Sequence, residues 1–183
     1  MVGLTCAMKT NSLLLSSLAG LAAISTVLAV DATAKPDQRT EVTFSHPEKY
    51  ADVRDSYTES ERGRDAILAQ LDSYIVQKAQ AYVPEGQKLL LSVTDVDLAG
   101  DFEPWRGPQG TDVRVVRDVY PPKVDLEFKL VGPDLKVLKE GKRQLRDLAF
   151  MSRLSISNND SLHYEKALID DWLQNEFKRV KTN

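Results

Sequence analysis

Ten residues, Lys88 to Asp97, restrict the architecture more than any other stretch of this chain. On an extended backbone Leu89, Leu91 and Val93 fall on one side and Leu90, Thr94 and Val96 on the other. Apolar side chains on both faces predict a central strand covered on two sides. Lys123 to Leu130 reads differently. Val124, Leu126, Phe128 and Leu130 alternate with Lys123, Asp125, Glu127 and Lys129, the pattern of an antiparallel strand with one wet face. Gly132-Pro133-Asp134 then turns the chain into a partner strand over roughly 135–146, which completes a hairpin.

The other elements follow from period and punctuation. Glu41 to Ser45 alternates as a first strand and His46-Pro47 ends it, because Pro has no ladder donor. Thr58 and Glu61 are spaced as a capping box, and Ile67, Leu68, Leu71, Tyr74, Ile75 and Tyr82 fall at helical spacing, so a helix is expected over 59–82. Residues 98–111, with three Gly and two Pro, read as one long loop. Val113 to Val119 reads as a strand and 152–160 as a loop. Asp160 or Ser161 caps a last helix whose stripe is Leu162, Leu168, Ile169, Trp172, Leu173 and Phe177, with Lys178, Arg179 and Lys181 at its end. The expected class is α+β: two main helices packed on a mostly antiparallel sheet, in the order β-α-β-β-β-β-α.

Residues 1–34 carry an address. Met8-Lys9-Thr10 is a positive start, Leu13 to Val30 is an uncharged apolar run, and Ala32-Thr33-Ala34 puts small residues at −3 and −1. This predicts a signal peptide cut after Ala34, with Met8 as the true initiator and 35–183 as a single mature domain. A cut after Ala29 and a retained anchor are the alternatives. A lipoprotein is not expected, since Cys6 precedes the apolar run. Cleavage removes the single Cys, so the mature chain enters an oxidising compartment free of disulfide risk. It also leaves no membrane span. With 24 Lys and Arg against 27 Asp and Glu, the net charge is −3, which argues against nucleic acid as a partner. One Cys and two His exclude a disulfide framework and the usual zinc arrays.

The chemistry-bearing candidates cluster after the central strand. Asp95, Asp97, Asp101 and Glu103 place four carboxylates within nine residues. Asp95, Asp97, Gly100 and Asp101 match positions 1, 3, 6 and 7 of a calcium loop, but Ala99 and Arg106 stand at positions 5 and 12, so no metal is expected. The plain reading is that Asp95 and Asp97 point outward and bond to loop amides. A two-carboxylate hydrolase is the other reading, with His163 as a possible partner. His46 and His163 lie in no metal-binding pattern, and neither a phosphate-binding Gly loop nor a G-x-S-x-G elbow occurs. No cofactor is expected. Trp105, flanked by Glu103 and Arg106, is either a recognition residue or a lid over the open end of the sheet.

Val93-Thr94-Asp95-Val96-Asp97-Leu98-Ala99-Gly100, Tyr120-Pro121-Pro122 and Tyr164-Glu165-Lys166, with Phe44, Pro47 and Glu48, form a set. In these the chain resembles the family catalogued as domain of unknown function 3016. The resemblance implies a small exported protein of Gram-negative bacteria, with a signal peptide, one domain and a periplasmic destination. It carries over no active-site residue. The expectation is therefore a non-enzymatic periplasmic binding or accessory module, its partner an envelope protein or a small ligand and its working surface Glu103, Trp105 and Arg106. The alternative is a cell-envelope hydrolase using Asp95, Asp97 or Asp101. An enzyme should show a pocket joining those acids to His163, Arg106 or another polar group, and a binding module an exposed aromatic patch at Trp105.

Overall fold

Strand β1 (Thr40–Phe44) lies beside β2 (Lys88–Asp97) and runs parallel to it. Parallel neighbours need a crossover, and α1 (Glu61–Ala79) lies within it. The computed structural model describes residues 39–107, 112–153 and 160–177. The segment read as an export signal lies outside these residues, as do 154–159 and the C-terminal cations Lys178, Arg179 and Lys181. Beyond β2 come the short strands β3 (Asp101–Phe102) and β4 (Arg114–Val115), then β5 (Lys123–Val131), β6 (Val137–Arg146) and α2 (His163–Glu176). The main sheet has the order β1-β2-β5-β6, with β2–β5 and β5–β6 antiparallel, and β3–β4 form a separate ribbon. The α+β class holds, with one parallel pair at the edge. Among the described residues no helix is long and apolar enough to cross a membrane.

Both helices close over one face of the sheet, because their apolar stripes have only that surface to bury against. Ile67, Leu68, Leu71 and Ile75 of α1 meet Leu168, Ile169, Trp172 and Leu173 of α2 over Leu89, Leu91, Val93, Val124, Leu126 and Phe128 in a single cluster. Each such side chain contributes about 1.5–3 kcal/mol on burial. Phe128, Trp172 and Phe177 add edge-to-face contacts at 5.5–5.6 Å.

Several expectations need correction. β2 is central but covered on one side: Leu90 is only half-buried and Thr94 is exposed. Of the loop expected over 98–111, residues 108–111 lie outside the described residues, and the rest contains β3 and a 3₁₀ turn over Pro104–Arg106. The strand expected over Val113–Val119 shrinks to two residues, since Val116 and Val119 are exposed and have no sheet to join. α1 starts two residues late and ends at Ala79: the capping oxygen is that of Ser60, which accepts from the Gly63 amide at 3.0 Å. α2 has Leu162 at its N-cap, without a side-chain cap. Asp160 instead accepts from the Leu162 amide and pairs with Lys166.

Candidate functional site

The acids at the end of β2 owe their position to one extra residue. Val93 pairs with Leu126 and Asp95 with Asp125, so Thr94 is a bulge. Before it the odd positions Leu89, Leu91 and Val93 face the core; after it Val96 does. Side chains alternate with period two, so a single insertion exchanges the faces. Without it, continued alternation would point Asp95 and Asp97 into the core. With it they emerge on the opposite side of the sheet, in register with Asp125 and Lys123.

The two carboxylates then part company. Asp95 accepts the Ala51 amide at 2.8 Å and the Lys123 ammonium at 2.6 Å. This is the loop-amide role expected of it, with a cation added. The Asp97 carboxylate has no hydrogen bond or ion pair with any described residue. It is half-buried, and desolvation together with the Asp52 and Asp95 carboxylates pushes its pKa up.

Asp52 reaches the same place from the connection before α1, where its backbone bridges to Asp97. Two guanidinium groups grip it. Arg54 bonds at 2.9 and 3.2 Å and Arg114, from β4, at 2.9 and 3.1 Å. Burial pushes Asp52 up, but these bonds and charges outweigh it and hold its carboxyl below the usual range. Arg54 also bonds Asp101 at 3.0 Å, Arg114 bonds the Gly100 carbonyl at 2.8 Å, and both guanidinium groups lie over the Phe102 ring. This network fastens the β3–β4 ribbon to the end of the sheet.

A cleft of about 400 Å³ opens here, bounded by Asp97, Asp101, Tyr120, Pro122, Lys123 and Arg146, among others. Gly100 allows its floor to form. Its φ is +81°, its amide bonds the Tyr120 carbonyl, and a β-carbon would come within 2.7 Å of the Val115 carbonyl oxygen. From the other side, the buried Glu165 of α2 accepts the Ala99 amide at 2.7 Å. The three sequence patterns around Asp95, Tyr120 and Glu165, far apart in the chain, therefore meet at one site. Over residues 38–175 the chain matches the model described as protein of unknown function DUF3016. The chain belongs to this family. No curated protein matches it.

Other candidate residues of this DUF3016 chain lie elsewhere. Glu103 is 0% exposed and pairs with Arg117 at 3.1 Å and with the Tyr120 hydroxyl at 3.4 Å, so it is a strut for the ribbon and presents no surface. Trp105 is 71% exposed on its 3₁₀ turn and covers no end of the sheet. The Arg106 backbone closes that turn. His163 opens α2, where its Nδ1 donates to the Asp160 carbonyl and its ring lies on Tyr164; it does not line the cleft. Among the described residues no three of His, Cys, Asp and Glu are grouped to hold a metal ion. The sequence reading missed Asp52, Arg54, Arg114, Lys123 and Arg146. The first three are joined across about sixty residues of chain, and no spacing rule links them.

Proposed function

We propose that this protein is exported to the periplasm and works there as a non-enzymatic binding module, its ligand held in the cleft at the end of β2. The observation that carries the reading is Asp97: a half-buried carboxyl whose pKa is pushed up by burial and by like charges against the weaker pull of Lys123 and Arg114, with no side-chain hydrogen bond or ion pair. The neighbouring acids are already neutralised, Asp95 by Lys123 and both Asp52 and Asp101 by arginine. A ligand bringing a positive or hydrogen-bond-donating group would relieve the one acid that remains. The volume falls in the range of small-molecule sites, about 300–1,000 Å³. Trp105 offers a second, separate contact for an envelope protein. Export is supported by Met8-Lys9-Thr10, the apolar run and Ala32-Thr33-Ala34.

The alternative, a cell-envelope hydrolase, would use Asp97 as proton donor, a role suited to a carboxyl with a raised pKa. It would then need a second ionised carboxylate free to act, and Asp95 and Asp101 are both committed to cations.

The test is nuclear magnetic resonance of the protein with the low-molecular-mass fraction of a periplasmic extract. The amide signals of Asp97, Gly100 and Lys123 should move, and Asp97→Asn should weaken the binding that moves them. Turnover of envelope material that Asp97→Asn removes would decide for the hydrolase. Intact mass from a periplasmic fraction should fit a chain starting at Lys35; full-length protein found only in membranes would overturn export.

A further inference from the structure

The register of the sheet sets three charged side chains in one row across the cleft. Asp97 pairs with Lys123, and Lys123 pairs with Arg146. Register partners point to the same side of a sheet. On the core side the neighbouring row is Val96, Val124 and Leu145, so Asp97, Lys123 and Arg146 share the opposite face. The middle member is engaged, its ammonium lying 2.6 Å from Asp95 and 3.5 Å from Asp125. The outer two are not. Among the described residues neither the Asp97 carboxylate nor the exposed Arg146 guanidinium has a side-chain hydrogen bond or ion pair, and both residues line the cleft.

A cleft with one free anion at one wall and one free cation at the other has its own selectivity. Two strand spacings separate the Asp97 and Arg146 backbones by about 10 Å. An extended peptide advances roughly 3.3–3.6 Å per residue, so two to three residues bridge that span. We infer that the cleft takes a short bipolar ligand, a di- or tripeptide with free ends, its ammonium on Asp97 and its carboxylate on the Arg146 guanidinium. A guanidinium is suited to the carboxylate end, since its fork matches both oxygens. The middle of the ligand crosses Lys123, whose charge Asp95 and Asp125 already balance. Both ends carry the selectivity, because a blocked end leaves a charge facing it unanswered. This inference rests on the cleft being a binding site, as proposed above, and adds the ligand class.

Calorimetric titration of the protein, purified as the cell produces it, tests it with triglycine, N-acetyl-triglycine and triglycine amide. Triglycine should bind at least ~10-fold more tightly than either blocked form, about the selectivity expected when one hydrogen bond to a charged group is lost. Asp97→Asn should remove the preference for the free amine and keep that for the free carboxylate. Arg146→Gln should do the reverse. This reciprocal pattern distinguishes lost contacts from a variant that has lost its fold. A blocked form binding as tightly as triglycine overturns the inference. If no tripeptide binds while the periplasmic fraction still shifts the cleft signals, the ligand class is wrong and the binding reading stands. If the fraction also fails, both fall.

Discussion

Asp52 and Asp97 are bridged by their backbones, yet their surroundings drive their pKa values apart. Asp97, raised by burial and by Asp52 and Asp95, binds protons more readily folded than unfolded. Its contribution to stability is therefore present below the ordinary carboxylate pKa and lost as pH rises through its raised folded value. Asp97→Asn should accordingly raise stability at pH 7. The gain should sit at the low end of the ~0.5–2 kcal/mol typical of single improvements, since water screens a half-exposed group. It should vanish on acidification, which urea denaturation at pH 7 and at pH 3 would show. Asp52 has the opposite sign: burial raises it, the two arginines outweigh that, and its stabilisation is lost as pH falls through its lowered value. Asp52→Ala should cost about 3 kcal/mol at pH 7, the low end for a broken buried pair because both arginines still reach water. The gap between wild type and variant should narrow in acid, leaving the share that comes from the Arg54 amide, which Asp52 accepts. Trp105→Ala, at an exposed position, should stay within about 0.5 kcal/mol of wild type in a thermal melt. A loss of several kcal/mol would make Trp105 a buried lid.

At the scale of elements, the cleft depends on one turn and one bulge. Gly100 combines φ +81° with a carbonyl where its β-carbon would stand. Gly100→Ala should cost about 1–3 kcal/mol from the backbone alone and broaden the amide signals of Tyr120 and Arg114. An unchanged melt would mean that the ribbon can shift away from the end of the sheet. β5 and the α2 stripe were legible because their period persists over eight or more residues, long enough to outweigh local noise, and β6, which has no such period, was legible only through the Gly132-Pro133-Asp134 turn before it. Thr94 was not, because a bulge inserts a residue without changing composition, and simple alternation then puts Val96 on the wrong face. Ser60 was overlooked for a related reason: Thr58 and Glu61 satisfy the capping-box pattern, while the oxygen that reaches the helix belongs to the residue between them. The cleft was half legible. The acid run marked its wall, but Asp52, Arg54 and Arg114 read singly as ordinary surface charges, and only folding brings them together.

At the scale of the whole molecule, the last helix holds the site from behind. α2 completes the core through Leu168, Ile169, Trp172 and Leu173, and its first turn sends Glu165 inward to the Ala99 amide. Glu165 is 1% exposed, and its second oxygen, Oε2, has no hydrogen-bond partner. Burial pushes its pKa up, and the Ala99 amide, Arg114 and His163 offset that only in part. The folded chain therefore favours the protonated carboxyl more than the unfolded chain does. The associated stability is present below the ordinary glutamate pKa and fades as pH rises through the raised value. Glu165→Gln keeps an acceptor for Ala99 and cannot ionise. Urea denaturation across pH 4 to 8 should show wild type losing ground to Glu165→Gln as pH rises, whichever is more stable in acid. Glu165→Ala should be less stable in acid, where wild type is protonated, by about 1–3 kcal/mol for an unsatisfied amide, with lost packing added. Parallel pH profiles for wild type and Glu165→Gln would place the titration elsewhere. A slope that disappears with the carboxyl would mean that protonation of one helix residue sets how firmly the floor of the cleft is held.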